Sequence, residues 1–292
     1  MFLAFKNIFL VAFLVFTHQI VQGTEQQVVA AYERVVIGSG NLVKIERDCP
    51  GVHTIYCCFG DFDIDMDAAE EKLIIEGEEN IISKLEITID NGLLRISPQP
   101  GLCLIPTCRP SLKGSIGLKN LSNLSLAGPD AQGMYRMFKT RFALEAIDKE
   151  NFFLEVTGQV RVCAQPDCVL RCCAMMGIKA CSGAELCNFS LQAHTLVLEL
   201  VKDSFMSLDN TFLQELQVTV KERSTLFGLE AEIDDIYINM KETGWAQINA
   251  KRYVTGIIED SFLSMNLSPS LEVELVKNGH SIIEIVKKEE LT

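Results

Sequence analysis

Val201-Lys202-Asp203-Ser204-Phe205 is the first of five similar phrases in this sequence. Val220-Lys221-Glu222-Arg223-Ser224, Met240-Lys241-Glu242-Thr243-Gly244, Ile258-Glu259-Asp260-Ser261-Phe262 and Val276-Lys277-Asn278-Gly279-His280 follow it. In each, an apolar residue leads into charged or small polar residues before a new apolar run begins. The leads lie 19, 20, 18 and 18 residues apart. Between them the side chains alternate, as in Leu216-Gln217-Val218-Thr219-Val220 and Ile236-Tyr237-Ile238-Asn239-Met240. Alternation with period two describes a strand with one buried and one wet face. The three- and four-residue apolar spacing of a helix is missing from these segments.

A coil near 20 residues long, made of short strands and two turns, cannot bury its apolar side alone. Stacked on its own copies, it closes a continuous core. The expected fold class is therefore all-β, a parallel β-helix or β-solenoid with ~20-residue coils. An antiparallel sandwich would also give short alternating strands. The regular double-turn period favours the solenoid, which requires parallel stacking of 201–220 on 220–240.

The first 23 residues read as a secretory signal peptide. Lys6 is their only charge, Ile8 to Phe16 is an apolar run, and Val21-Gln22-Gly23 ends in a small residue suited to cleavage. No other apolar run approaches the ~18 residues that would span a bilayer, so no transmembrane segment is expected in the mature chain. Removing Lys6 with the leader leaves 25 basic residues against 39 acidic ones. Such a chain repels phosphate backbones, which argues against nucleic acid and anionic membranes as partners.

All eleven cysteines fall after the leader, at Cys49, Cys57, Cys58, Cys103, Cys108, Cys163, Cys168, Cys172, Cys173, Cys181 and Cys187. In an exported chain they are disulfide candidates, with the pairing open and one thiol left over. Six crowd into residues 163–187 beside Pro166, Gly177 and Gly183, which suggests a cysteine-rich insertion stapled by disulfides. Their spacings lack the paired Cys-x2-Cys of a structural zinc site.

Nearer the N-terminus, Val35-Val36-Ile37, Gly38-Ser39-Gly40 and Leu42-Val43-Lys44-Ile45 read as strand, turn and strand. Asp61, Asp63, Asp65 and Asp67 alternate with Phe62, Ile64 and Met66. The glycine and closing glutamate of a calcium loop are missing, so alternation places the acids in water and the apolar side chains inside. Asn91-Gly92, between Leu85-Glu86-Ile87-Thr88-Ile89 and Leu93-Leu94-Arg95-Ile96, is a hairpin signal.

The order of several phrases resembles the head GIN domain family, assigned to the heads of auto-transporter adhesins of Gram-negative bacteria. They are Phe62-Asp63-Ile64-Asp65, Ile75-Glu76-Gly77-Glu78-Glu79-Asn80-Ile81-Ile82, Ile87-Thr88-Ile89-Asp90-Asn91-Gly92-Leu93-Leu94-Arg95-Ile96, Ile116-Gly117-Leu118 and Leu121-Ser122-Asn123-Leu124-Ser125-Leu126 with Ala127-Gly128. The resemblance covers residues 33–130 and becomes loose after 190. It implies a pectin-lyase-like β-helix, a role in adhesion and no shared catalytic set. The Lys/Glu-rich later turns and the segment 163–187 depart from the family pattern. The expected organisation is a leader (1–23), a head GIN-like β domain (24–130), an irregular segment (131–195) and solenoid repeats continuing that domain (196–292).

No nucleophile elbow, zinc-protease helix or phosphate loop is present, and no cofactor or metal is implied. His53, His194 and His280 stand far from any recognisable partner. The carboxylates at or near the turns, Asp203, Asp209, Asp234, Asp235, Glu242 and Asp260, are the groups that could hydrolyse a glycoside as a pair. The bland account is that they solvate the coils and guard their edges. Trp245, the single tryptophan, is a weak candidate for ligand contact, against packing along the solenoid. Sequons at Asn120, Asn123, Asn188 and Asn266 would permit glycosylation in a eukaryotic secretory route.

The sequence therefore points to an exported, non-enzymatic cell-envelope or surface protein. Its expected partner is a glycan or a cell-surface protein bound along the solenoid flank, and its end offers a route to a homo-oligomer. The chain would lie in the periplasm, on the outer-membrane surface or in the medium. The alternative is a carbohydrate-active β-helix hydrolase or lyase.

Overall fold

Stacked turns hold this chain in register. Lys202 and Asp203, Glu222 and Arg223, and Glu242 and Thr243 all adopt positive φ, between 51° and 66°. Such left-handed pairs are strained for residues with a Cβ and persist only where the surroundings hold them. Here the turns bind one another. Asp203 N donates to Glu222 O at 3.0 Å, Arg223 N to Glu242 O at 3.2 Å, and Thr243 N to Asp260 O at 2.9 Å. The five repeated phrases are thus one corner of consecutive coils.

The computed structural model describes residues 33–36, 41–99, 102–105, 112–119, 121–129, 140–145, 147–165, 168–267 and 270–287. The leader, Cys108, Asn120 and Pro166 lie outside them, as does the Cys103 side chain. In chain order the N-terminal end comprises β1 (Glu33–Val36), β2 (Leu42–Asp48), β3 (Thr54–Cys57), β4 (Asp61–Asp65) and β5 (Lys72–Glu78). A single-turn helix α1 (Glu79–Ile82) follows, then β6 (Leu85–Asp90), β7 (Leu93–Pro98), β8 (Leu102–Ile105) and β9 (Lys113–Gly117). Strands β1 and β8 form a separate two-stranded ribbon.

The coils continue through β10 (Asn123–Ala127), β11 (Thr140–Leu144), β12 (Ile147–Thr157), β13 (Val160–Ala164), β14 (Leu170–Cys181), β15 (Glu185–Phe189) and β16 (Leu191–Val201). After them come β17 (Phe205–Leu208), β18 (Phe212–Val220), β19 (Thr225–Met240), β20 (Trp245–Glu259), β21 (Phe262–Leu267), β22 (Glu272–Asn278) and β23 (Ile282–Lys287). The fold is a β-solenoid of about 7 turns. Residues 201–220 stack in parallel on 220–240, through β17 and β18 against the two halves of β19. One face stacks the short strands β11, β13, β15 and β17. The other stacks the long strands β12, β14, β16 and β18, all in parallel.

Alternation decides what faces inward. In the coil beginning at Ser204, the side chains of Ser204, Met206, Leu208, Thr211, Leu213, Leu216, Val218 and Val220 are all buried. The corner hydroxyls replace backbone partners that the turns leave open. Ser204 donates through Oγ to Val201 O at 2.7 Å, and its N–H donates to Ser224 Oγ at 3.2 Å. At the second corner Thr211 Oγ1 accepts from Leu191 N at 3.3 Å.

Antiparallel strands close the N-terminal end. β2 pairs with β5, β5 with β9, and β6 with β7 across the Asn91-Gly92 turn, where φ is 48° and 76°. Through β3 and β4 this end joins the parallel stacks. Such a cap blunts the open edge a solenoid would otherwise present. Phe62, Ile64 and Met66 are buried while the aspartates between them face outward. At the other end Val273 and Ile285 occupy inward register positions yet are 38% and 46% exposed, because no further coil covers them among the described residues.

The cysteine-rich segment differs from its expected form. The described residues between 163 and 187 belong to the coils, with β13, β14 and β15 paired in parallel with the coils on both sides. In Leu170-Arg171-Cys172, the cysteine takes an inward place in the alternation and acts as a small apolar residue. The described residues from 34 onward form one compact unit.

Candidate functional site

The long strands bend, and the bend makes a groove. In the pairing of β14 with β16 the register breaks between Cys172 and Met175, and in β19 with β20 around Ile233 to Asp235. One strand of each pair carries an extra residue there, so it turns outward locally. Just before the bend, Asp148, Arg171, Gln192, Phe212 and Glu232 form one column in register. At ~4.8 Å per strand the column runs roughly 19 Å along the solenoid axis.

A concavity of about 630 Å³ opens over this column, with Cys173, His194, Gln214, Asp234 and Lys251 on its other side. A second, of about 450 Å³, shares Arg171, Gln192 and Phe212 and reaches Ser190 and Asn210. Phe212 stands between the two and is 53% exposed. An aromatic ring left this open, with amides and charges on either side, is an amphipathic binding surface.

Ion pairs between coils fix the groove's charged wall. On that wall Lys251 Nζ lies 2.6 Å from Glu232 Oε2; outside the lining, Arg252 Nε donates to Asp235 Oδ1 at 2.8 Å while its second prong also reaches that carboxylate. His194 Nδ1 lies 3.1 Å from Thr195 Oγ1.

The turn carboxylates expected as a possible catalytic pair do not gather here. Of the six, Asp234 alone lines the groove. A two-pronged bond from Arg223, at 2.7 and 2.8 Å, holds Asp203 below the ordinary carboxylate range. Arg252 does the same to Asp235. Asp260 accepts from His280 N at 2.8 Å. A general acid in glycoside hydrolysis needs the opposite shift. Among described carboxyls whose shift is resolved, Glu145 is the one held high, by its own burial first and then by Asp65 and Asp63, and it does not line the groove. No group of three or more His, Cys, Asp or Glu among the described residues is placed to hold a metal ion.

Trp245 sits on the short-strand face within a column of rings. Phe205 lies 5.5 Å from Phe227, Phe227 lies 4.6 Å from Trp245, and Trp245 lies 5.8 Å from Phe262 at an interplanar angle of 6°. Neighbouring rings thus cover much of its faces.

No disulfide joins the nine cysteines whose side chains are described, and Cys187 hydrogen-bonds with Cys163. Cys49, Cys57, Cys58, Cys163 and Cys172 are buried, Cys168, Cys181 and Cys187 half-buried, and Cys173 exposed. Burial pushes Cys57 up to about 12.

Sequence reading missed Arg171, Gln192 and Phe212. Their spacing of 21 and 20 residues, continued by Glu232 another 20 on, repeats the coil period and was the available signal.

No known family's sequence profile matches the chain, and neither does any curated protein. Solved structures do resemble it. One, described as a "putative adhesin" from Parabacteroides merdae, is 13% identical, with a TM-score of 0.68 over 88% of this chain and 100% of that one. A second, described in the same words, from Parabacteroides distasonis, is 11% identical, with a TM-score of 0.69 over 87% and 100%. A third, described as a "putative lipid binding protein" from Parabacteroides distasonis, is 16% identical, with a TM-score of 0.59 over 88% and 100%. At such identities the likeness is one of fold.

Proposed function

We propose that this chain is an exported, non-enzymatic envelope or surface protein that binds an extended glycan in the groove at the strand bend. Its head GIN-like phrases and the adhesin descriptions of its structural relatives support a surface role. The observation that carries the ligand reading is Phe212, an open ring flanked in register by Gln192 and Glu232. A pyranose has an apolar C–H face and a rim of hydroxyls, which suit a ring between amides and carboxylates. Repeated columns let each coil add weak contacts along a chain-like ligand. The arginine-bound Asp203 and Asp235 support binding over hydrolysis. Trp245 serves packing in this reading.

The test exposes the full-length mature protein to an array of bacterial and host glycans, reading retained protein and released fragments by mass. Saturable retention without fragments is the expected result. Released fragments would replace the reading with the carbohydrate-active alternative, and absence of both would end the glycan assignment.

A further inference from the structure

Cys163 and Cys187 face each other across adjacent coils. They are register partners in the parallel pair β13–β15, and among the described strand pairings they are the one such pair of cysteines. Val162 and Leu186, one residue earlier on each strand, are fully buried, so alternation turns both thiols to the outer face. Neighbouring strands lie ~4.8 Å apart, inside the ~4.4–6.8 Å window of Cα separations that a disulfide spans. The thiols interact directly. Hydrogen bonding with Cys187 first, and then the Arg141 and Arg161 guanidinium groups, hold Cys163 below the ordinary thiol range, against the burial that would raise it. Arg141 and Arg161 are themselves register partners on the coils that carry this face. The other described cysteines lack such an arrangement, and burial raises Cys49, Cys57 and Cys172.

We infer that Cys163 and Cys187 are a dithiol–disulfide clamp that locks two neighbouring coils together when a disulfide-bearing oxidant is present. Cys187, half-buried and the more accessible of the two, attacks one sulfur of the external disulfide and expels the other as a thiolate. Cys163, whose thiolate form the neighbouring Arg141 and Arg161 guanidinium groups favour, then attacks Cys187 Sγ and expels the second external thiolate. Two electrons pass from the cysteine pair to the external disulfide; each cysteine sheds its proton to solvent before it attacks, and each released thiolate takes one up from solvent. The bond joins residues 163 and 187 on the outer face, leaving the core and the groove at the bend untouched. The inference does not depend on the glycan reading.

The test incubates the reduced full-length protein with oxidised glutathione, alkylates remaining thiols, and maps tryptic peptides by mass. Residues 162–171 hold Cys163 with Cys168, and residues 180–202 hold Cys181 with Cys187, so four single variants resolve the bond. The link between these peptides is expected in the wild type, Cys168→Ser and Cys181→Ser, and lost in Cys163→Ser and Cys187→Ser. Cys187 is less buried than Cys163, so its variant carries the test even if Cys163→Ser fails to fold. A link that survives in Cys187→Ser, or no link in the wild type under fully oxidising glutathione, would overturn the assignment.

Discussion

Phe212 lies opposite Gln192 in the parallel register of β16 and β18, with its ring 53% exposed at the edge where the long strands bend. An outward position on a flat sheet would leave such a ring on a convex surface. The bend turns it into the ridge between two concavities. Fold and candidate function meet there, because the coil repeat supplies the column and the bulges supply the groove.

The hydroxyl ladder at the turns gives a first prediction. Ser224 is fully buried, and its Oγ accepts from Ser204 N at 3.2 Å. Ser224→Ala removes that acceptor and leaves a buried N–H without it, which costs about 1–3 kcal/mol. Urea unfolding of the two proteins, with an unchanged slope, checks the loss.

Two glycines on neighbouring coils should respond in opposite ways. At Gly256, where φ is 149°, an added Cβ would stand 1.8 Å from the backbone oxygen of Ile238. That oxygen belongs to the adjacent coil and cannot yield without moving a strand, so Gly256→Ala should destabilise by several kcal/mol, on the order of ~3 or more. At Gly228 the nearest atom would be 3.6 Å away, and Gly228→Ala should leave the melting temperature near that of wild type. Thermal melts followed by circular dichroism separate the two.

Thiol burial predicts an alkaline limit to stability. Burial pushes Cys57 up to about 12 and Cys49 and Cys172 up to about 11, from an ordinary value of 9.0. A raised folded pKa contributes stability that is complete below the unfolded value and lost as pH rises through the folded one. Urea midpoints should therefore hold up to about pH 9 and fall between there and about pH 12. Replacing Cys57 by Ala should flatten part of that fall.

Closing the Cys163–Cys187 clamp should stabilise the chain. The bond would enclose a loop of ~25 residues, for which chain-entropy arguments give about 3 kcal/mol. Denaturant midpoints of the oxidised protein, compared with those of oxidised Cys187→Ser, read the difference.

The solenoid was legible because its signal is repetition. Lys202-Asp203, Glu222-Arg223 and Glu242-Thr243 mark one corner at a near-constant interval, and the alternation between them fixes which side is wet. The cysteine-rich coil was harder to read, since Cys172 fills a place that Ala193, Leu213 and Ile233 take on the following coils, and cysteine suggests cross-linking before packing. Antiparallel closure by β2, β5 and β9 also escaped, because alternation is the same in either strand direction, whereas the β6–β7 hairpin was legible from its Asn91-Gly92 turn. The groove was hidden for another reason. His194 and Gln214 look like ordinary outward residues until the bulges set them beside the Phe212 column.

The central claim is that an extended glycan lies across Phe212, and glycan-array retention of three proteins tests it most directly. Wild type, Phe212→Ala and Trp245→Phe would be compared after circular dichroism shows that each is folded. The account predicts retention by wild type and Trp245→Phe, and a loss of about tenfold or more in Phe212→Ala, equivalent to ~1.4 kcal/mol of binding free energy. Full retention by folded Phe212→Ala, with loss in Trp245→Phe, would contradict it and move the ligand to the aromatic column of the opposite face.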